Sequence, residues 1–324
     1  MPNAGPAPIE VSAEVRRALD AGHPVVALET AVLTHGLPRT PMSRPCELAA
    51  WDESLPANLA LSLLLDATVR ASGAVPATVG MLDGTLHVGL DRAQLERLGR
   101  DERARKLSTR DLGAACAQRA SGGTTVAATL AACTAAGIRV FATGGIGGVH
   151  RHWTDRPDVS ADLAALARAR VAVISAGAKS ILDLPATVEA LDSLGVPVVG
   201  LGTRAFPRFI SRGDESLGVS AVAADAREAA AICRAHWAFA DGGVLVANPP
   251  AERWAIPNDE VETTIAAAML EAVREGVRGA AVTPFLLDRV QRATAGRTVS
   301  ANVAVLEGNA RIGAELARAL AGNA

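Results

Sequence analysis

The stretch Val171-Ala-Val-Ile-Ser-Ala-Gly-Ala-Lys179-Ser180 is an apolar run that ends in small residues and delivers a lysine at its tip. A short apolar run of this kind reads as a strand buried on both faces, the mark of a parallel sheet covered by helices. Its lysine is one of only two in the chain, Lys106 and Lys179, against thirty arginines. Where only positive charge is needed, arginine has filled the place. An amine can shed its proton and attack a carbonyl carbon, whereas a guanidinium stays charged, so the two remaining lysines are candidates for amine chemistry. They could equally be ordinary surface lysines.

Working outward, the same signature recurs. Val25–Leu28, 75–81, 138–142, 197–201 and the run after Gly242 read as strands. Helical periodicity runs over 9–21, 58–72, 91–99, 125–136, 160–169, 181–193 and 222–239. The alternation predicts an α/β fold: one domain, a mostly parallel central sheet flanked by helices. From 258 onward the pattern is helical to the end, interrupted at Thr283-Pro284 and near Gly296, with Asn302 and Asn309 in the last helix. Asp83-Gly84 predicts a hairpin between 75–81 and 85–88. Residues 37–57, with Pro38, Pro41, Pro45 and Pro56 and an isolated Trp51, read as a loop or lid.

Composition sets bounds. A net charge of -2 with 20% charged residues offers no basic field for nucleic acid, and no run approaches a membrane span. Cys46, Cys116, Cys133 and Cys233 lie far apart without CxxC spacing, which fits a reducing cytoplasm and argues against a thiolate metal site.

Several segments carry candidate chemistry. Glu29 ends the first parallel strand, where ligands collect in open α/β sheets, although an exposed turn glutamate or a cap would look the same. Arg103, Arg105, Lys106 and Arg110 make either an anion pocket or a solvated charged face. Ser121-Gly-Gly-Thr-Thr125 precedes a helix and could present backbone N–H groups to a phosphate, or be a glycine turn with a cap. Thr143-Gly-Gly-Ile-Gly-Gly-Val-His150 fits GxGxxG in no register, which argues against a dinucleotide site. His150, His152, Asp155 and Asp158 follow within nine residues; such donors suit Mg²⁺ or Mn²⁺ and match no zinc spacing. Alternatively, Asp158 and Ser160 cap the next helix.

Taken together, Val26-Ala-Leu-Glu29-Thr, Thr34-His-Gly36, Gly73-Ala-Val-Pro-Ala77-Thr, Phe141-Ala-Thr-Gly-Gly-Ile-Gly-Gly-Val-His150-Arg, Asp158-Val-Ser-Ala-Asp162-Leu, Ala176-Gly-Ala-Lys179-Ser-Ile-Leu-Asp183, Ala247-Asn-Pro249 and Thr283-Pro-Phe285-Leu-Leu resemble the pseudouridine-5′-phosphate glycosidase, or indigoidine synthase A, family from about residue 9 to about 320. The resemblance implies reversible cleavage of the C–C bond in pseudouridine 5′-phosphate to uracil and ribose 5-phosphate, by a lyase that uses a divalent metal, usually Mn²⁺. It implies Lys179 as the nucleophile that forms an imine at C1′ of the opened ribose, and Glu29 as the acid that protonates the departing uracil carbon. By the same resemblance Lys106 binds substrate, Asp158 holds the metal partly through water, and Ser160, Ala161 and Asp162 contact substrate. Val126 lines the pocket, and Thr143, His150 and Asn302 lie near it. A cytoplasmic homotrimer with a small-molecule substrate, acting on neither nucleic acid nor membrane, is expected.

A C-glycosidic bond has no leaving oxygen to protonate, so the two-carboxylate glycosidase scheme does not transfer, and an imine supplies the electron sink instead. Attack requires the free amine, which an apolar strand end favours. Relative to the family, residues 39–54 form an insertion right after the Glu29 strand, which could reshape the entrance, alter substrate choice or only lengthen a loop. The alternatives are a related Schiff-base lyase acting on another C-nucleotide or sugar phosphate, and a non-catalytic nucleotide-binding homologue.

Overall fold

In the computed structural model, which describes residues 8–45, 51–155, 157–277, 282–294 and 296–322, the chain begins with strand β1 (Ile9–Val11), not helix. Ile9 lies in register with Leu86, and Ser12 then caps α1 (Ala13–Asp20) by accepting from the Val15 amide at 3.3 Å. The helix expected from residue 9 therefore starts only at 13, because edge pairing claims the residues before the cap. Next come β2 (Val25–Leu28) and a short helix, α2 (Ala31–His35), that sequence periodicity does not reveal at five residues.

The proline-rich stretch is irregular, as expected, but it is pinned rather than loose. Pro41 bridges Pro56, the Trp51 indole is buried and donates to the Met42 carbonyl at 3.1 Å, and Arg39 donates to the Thr34 and Asp101 carbonyls at 3.1 and 2.9 Å. Residues 46–50 of the inserted segment lie outside the described residues.

α3 (Ala57–Ala71) leads to the hairpin β3 (Val75–Leu82) and β4 (Thr85–Val88). Its two turn residues, Asp83 and Gly84, have φ of 49° and 83°, the left-handed pair that a tight antiparallel connection requires. α4 (Arg92–Arg100), β5 (Arg105–Leu107), α5 (Thr109–Ala117), β6 (Gly122–Thr124) and α6 (Val126–Ala136) follow. The strands β5 and β6 lack an apolar signature; the pairing of β5 with β6, and of β6 with β3, makes them strands.

The remaining parallel units are β7 (Val140–Ala142), α7 (Ala161–Leu166), β8 (Ala172–Ser175), α8 (Leu184–Ser193), β9 (Val198–Leu201), β10 (Ala221–Ala223), α9 (Ala226–Phe239) and β11 (Val244–Ala247). The expected helix over 222–239 gives up its first residues to β10, which pairs with β9. α10 (Asn258–Arg274), α11 (Val282–Ala293) and α12 (Arg297–Leu320) close the chain. Thr283-Pro284 falls in the first turn of α11, where a missing amide costs little, so the break precedes it.

The sheet runs β1-β4-β3-β2-β7-β8-β11-β9-β10, and all neighbours from β3 through β2 to β10 are parallel. Alternate residues feed two cores. Val25, Ala27, Val173 and Leu245 face one side, packed by α6, α7 and α8; Val26, Leu28, Ile174 and Val246 face the other, under α3, α9 and α12. Each such valine, leucine or isoleucine contributes about 1.5–3 kcal/mol on burial. From β2 the chain moves outward to β3, yet its other neighbour is β7, so the direction of winding reverses between β2 and β7. The crevice at that reversal, beyond the carboxyl ends of the strands, is where open α/β sheets bind ligands.

Candidate functional site

Glu29 follows β2 and Thr143 follows β7, so the two meet at the reversal. The Thr143 hydroxyl donates to the Glu29 carboxylate in a short hydrogen bond. Thr143 is itself held on both sides: its amide donates to the Ile174 carbonyl at 2.9 Å, and its carbonyl accepts from Asn309 Nδ2 at 2.7 Å. Asn309, buried in α12, accepts in turn from Asn248 beyond β11 at 2.9 Å. Burial pushes the Glu29 carboxyl above its ordinary range. The positive charge of Lys179 and the Thr143 bond oppose that, Asp162 adds to it, and Lys106 opposes it more weakly. Glu29 thus tends to keep its proton.

Lys179 leaves β8 through Ala176-Gly-Ala, a turn buried from Val171 to Ala178, and its amide donates to the Ile146 carbonyl at 3.1 Å. Lys106, on β5 opposite Gly123, comes to the same place from across the sheet. Although Lys106 is exposed as a residue, partial desolvation of its ammonium, then repulsion from Lys179, pushes it below the ordinary lysine value, and Glu29 and Asp162 pull it back. The two surviving lysines and the strand-end glutamate therefore share one electrostatic environment.

Asp162 is buried, and each carboxylate oxygen accepts a backbone amide: Ala127 at 2.9 Å and Gly147 at 2.8 Å. Gly122–Thr124 is strand, and the N-terminus of α6 already has an anion, the Asp162 carboxylate, where a helix dipole favours one. Val126 is buried as the first residue of that helix. Ser160 caps α7 by accepting from the Asp162 amide at 3.2 Å, while Ala161 beside it is exposed.

The basic run divides. Arg105 donates to Gln118 at 2.5 Å and Arg103 and Arg110 are exposed, while Lys106 lies close enough to Glu29 and Lys179 for their charges to act on it. The grouping of His150, His152, Asp155 and Asp158 fails to close. His152 and Asp155 are exposed, and among the described residues no three His, Cys, Asp or Glu side chains gather around a common point. His150 Nδ1 stands 3.9 Å from the exposed Asp158 carboxylate, and its amide donates to the Asp158 carbonyl at 2.9 Å. Asn302, half-buried on α12, has its Oδ1 against Gly144, next to Thr143.

Three positioning groups escape a reading of the sequence. Asn309 stands out in α12 as a polar residue in an apolar helix, but nothing local reveals its partner. His35, on α2, has its Nδ1 2.7 Å from the Thr34 hydroxyl; burial, then the charges of Lys106 and Arg39, hold its imidazole below the usual histidine value. Thr30, beside Glu29, is fully buried and donates to the Val79 carbonyl at 2.6 Å while accepting from the Thr124 amide at 3.1 Å, which fixes the strand end to β3 and β6.

Comparison with known proteins places these residues in context. The family described as "Indigoidine synthase A like protein" matches residues 14–319. A pseudouridine-5′-phosphate glycosidase of Myxococcus xanthus is 48% identical over 315 residues, 97% of this chain and 98% of the relative. One from Chloroflexus aurantiacus is 49% identical over 95% and 97% of the two chains. Among solved structures, a prealnumycin C-glycosynthase in complex with ribulose 5-phosphate superposes with a TM-score of 0.85 at 37% identity, covering 97% of each chain. An indigoidine synthase A-like protein of Thermotoga maritima superposes with a TM-score of 0.81 at 35% identity, covering 95% of each.

Proposed function

The chain belongs to the indigoidine synthase A-like family, and we propose that it cleaves, reversibly, the C–C glycosidic bond of pseudouridine 5′-phosphate to give uracil and ribose 5-phosphate. One observation carries this reading: a buried glutamate, held by the Thr143 hydroxyl and pushed by burial above its ordinary range, shares the crevice where the sheet reverses with the chain's two lysines.

In this scheme the free Lys179 amine attacks C1′ of the nucleotide. The C1′–O4′ bond breaks, the ring oxygen takes a proton, and the sugar opens while bound to the enzyme. Glu29 then gives its proton to uracil C5. As the C1′–C5 bond breaks, its electron pair restores the C5–C6 double bond of uracil, and the nitrogen pair closes the imine at C1′. Water hydrolyses the imine, releasing ribose 5-phosphate and the amine. Thr143 orients the carboxyl, and its donated hydrogen bond stabilises the carboxylate left after transfer. Lys106 supplies positive charge to the substrate, and Val126, His150, Ser160, Ala161, Asp162 and Asn302 border it.

We assign a divalent cation, Mn²⁺, to Asp158 with His150 beside it. An exposed carboxylate with few other protein donors fits a hard ion that keeps several waters and takes phosphate oxygens. Bound there, the ion would neutralise charge on the phosphate. A homotrimer in the cytoplasm completes the reading. The assembly is supported by Leu270 and Val273, apolar residues exposed on α10 that a second copy could cover.

Release of uracil from pseudouridine 5′-phosphate, with its loss in Lys179→Arg, tests the proposal; turnover that survives the substitution would refute it. A second reading, a related enzyme that makes or breaks C-glycosides of another aglycone, draws support from the likeness to a C-glycosynthase. Comparing release of uracil with release of other aglycones from their C-ribosyl 5-phosphates separates the two.

A further inference from the structure

Phe209 has a φ of 63°, in the left-handed region that a bulky side chain rarely adopts. Strained backbone of this kind persists where its surroundings enforce it, and it concentrates at functional sites. The surroundings here are the loop that follows Thr143, the residue bonded to the acid, and the turn that presents the nucleophile.

On one side the segment 206–209 lies across the turn that presents Lys179. The Phe209 amide donates to the Ala176 carbonyl at 2.8 Å, Arg208 bridges Gly177, and the Ser180 hydroxyl donates to the Arg208 carbonyl at 2.6 Å. The fit is close: a Cβ on Gly177, itself at φ 70°, would fall 1.9 Å from the Pro207 carbonyl oxygen. On the other side is the loop after Thr143. A Cβ on Gly145 would lie 2.8 Å from Phe209 Cδ2, and one on Gly144 would lie 3.1 Å from Cε2 and 3.3 Å from Asn302 Oδ1. The ring therefore rests on the bare backbone of Gly144 and Gly145, immediately after the threonine that holds Glu29.

We propose that Phe209 is a positioning residue whose left-handed backbone seats its ring against Gly144–Gly145 while its amide ties down the turn before Lys179, so that the acid and the nucleophile are set in one frame. The inference rests on the assignment of Glu29 and Lys179 to the chemistry. An ordinary hydrophobic contact would not require the strained backbone, and it would touch one loop rather than both.

The test uses the full chain as wild type, Phe209→Gly and Phe209→Tyr. Glycine accepts the left-handed conformation without strain and removes only the ring, whereas tyrosine keeps it. Expected for Phe209→Gly are a kcat for uracil release lower by about 100-fold, the scale that a displacement of about 1 Å can cost, and a KM that changes far less. The alkaline limb of its kcat–pH profile should move to higher pH, because a Thr143 free to drift gives Glu29 less support for the charged form. Phe209→Tyr should restore most of kcat. An active wild type whose Phe209→Gly variant keeps kcat and pH profile overturns the role of Phe209 alone. So does a loss of kcat accompanied by an unmoved pH limb, the signature of a merely structural side chain. A wild type that neither releases uracil nor forms a borohydride-trapped adduct at Lys179 overturns the reaction assignment, and the role with it.

Discussion

Asn309 donates from Nδ2 to the main-chain carbonyl of Thr143 at 2.7 Å, and so a residue of the last helix holds the residue that holds Glu29. Both are buried, at 1% exposure each, so neither can exchange this bond for water. Replacing Asn309 by alanine leaves the Thr143 carbonyl and the Asn248 amide without their partner, at a cost of about 1–3 kcal/mol in unfolding free energy. Activity should fall as well, by about tenfold or more. A double-mutant cycle with Thr143→Val should be markedly non-additive in kcat, since both substitutions act on the same carboxyl.

Thr143→Val makes a sharper electrostatic prediction. A hydrogen bond donated to a carboxylate favours its charged form, so its removal lets burial push the Glu29 carboxyl higher still. The general acid is active while protonated, and its rate falls as pH rises through its titration. The alkaline limb of kcat for Thr143→Val should therefore lie at higher pH than in the wild type, read from initial rates of uracil release across the pH range. An unmoved or lowered limb would separate Thr143 from the acid.

The same shift governs stability. Glu29 is raised above its ordinary value of 4.5 in the folded protein, so the stability it contributes is fully present below that pH and is lost as pH rises through the folded-state value. Glu29→Gln, which cannot ionise, should gain in thermal midpoint over the wild type as pH increases. The two proteins should converge near pH 4.5, although the variant has lost its acid.

Much of this was legible in the chain because buried parallel strands announce themselves. Val25–Leu28 and Val171–Ile174 are apolar throughout, and just beyond them stand Glu29 and Lys179. The scarcity of lysine pointed to both Lys106 and Lys179. What could not be read was anything set by pairing over long separations. β5 and β6 carry no apolar alternation, and only the register Lys106 to Gly123 shows how the second lysine reaches a glutamate 77 positions away in sequence. Nor does the sequence show that Asp162 accepts the Ala127 and Gly147 amides, one on each carboxylate oxygen. Phe209 gave no signal at all, since a left-handed phenylalanine is indistinguishable in sequence from any other.

The metal assignment has its own test, independent of turnover. Asp158→Asn should weaken Mn²⁺ binding by about tenfold or more in a titration followed by electron paramagnetic resonance of the free ion. The exposed Asp158 side chain supports no core contact, so the thermal midpoint without metal should be unchanged. Equal Mn²⁺ affinity in the two proteins would move the ion elsewhere.

The central claim is that Lys179 bonds covalently to C1′ of the sugar. Incubation of the protein with ribose 5-phosphate and borohydride, followed by peptide mapping by mass spectrometry, tests it most directly. The reduced adduct should appear on the peptide carrying Lys179, and it should be absent from Lys179→Arg. A sugar mass on Lys106, or none on either lysine while the enzyme still releases uracil, would contradict the account.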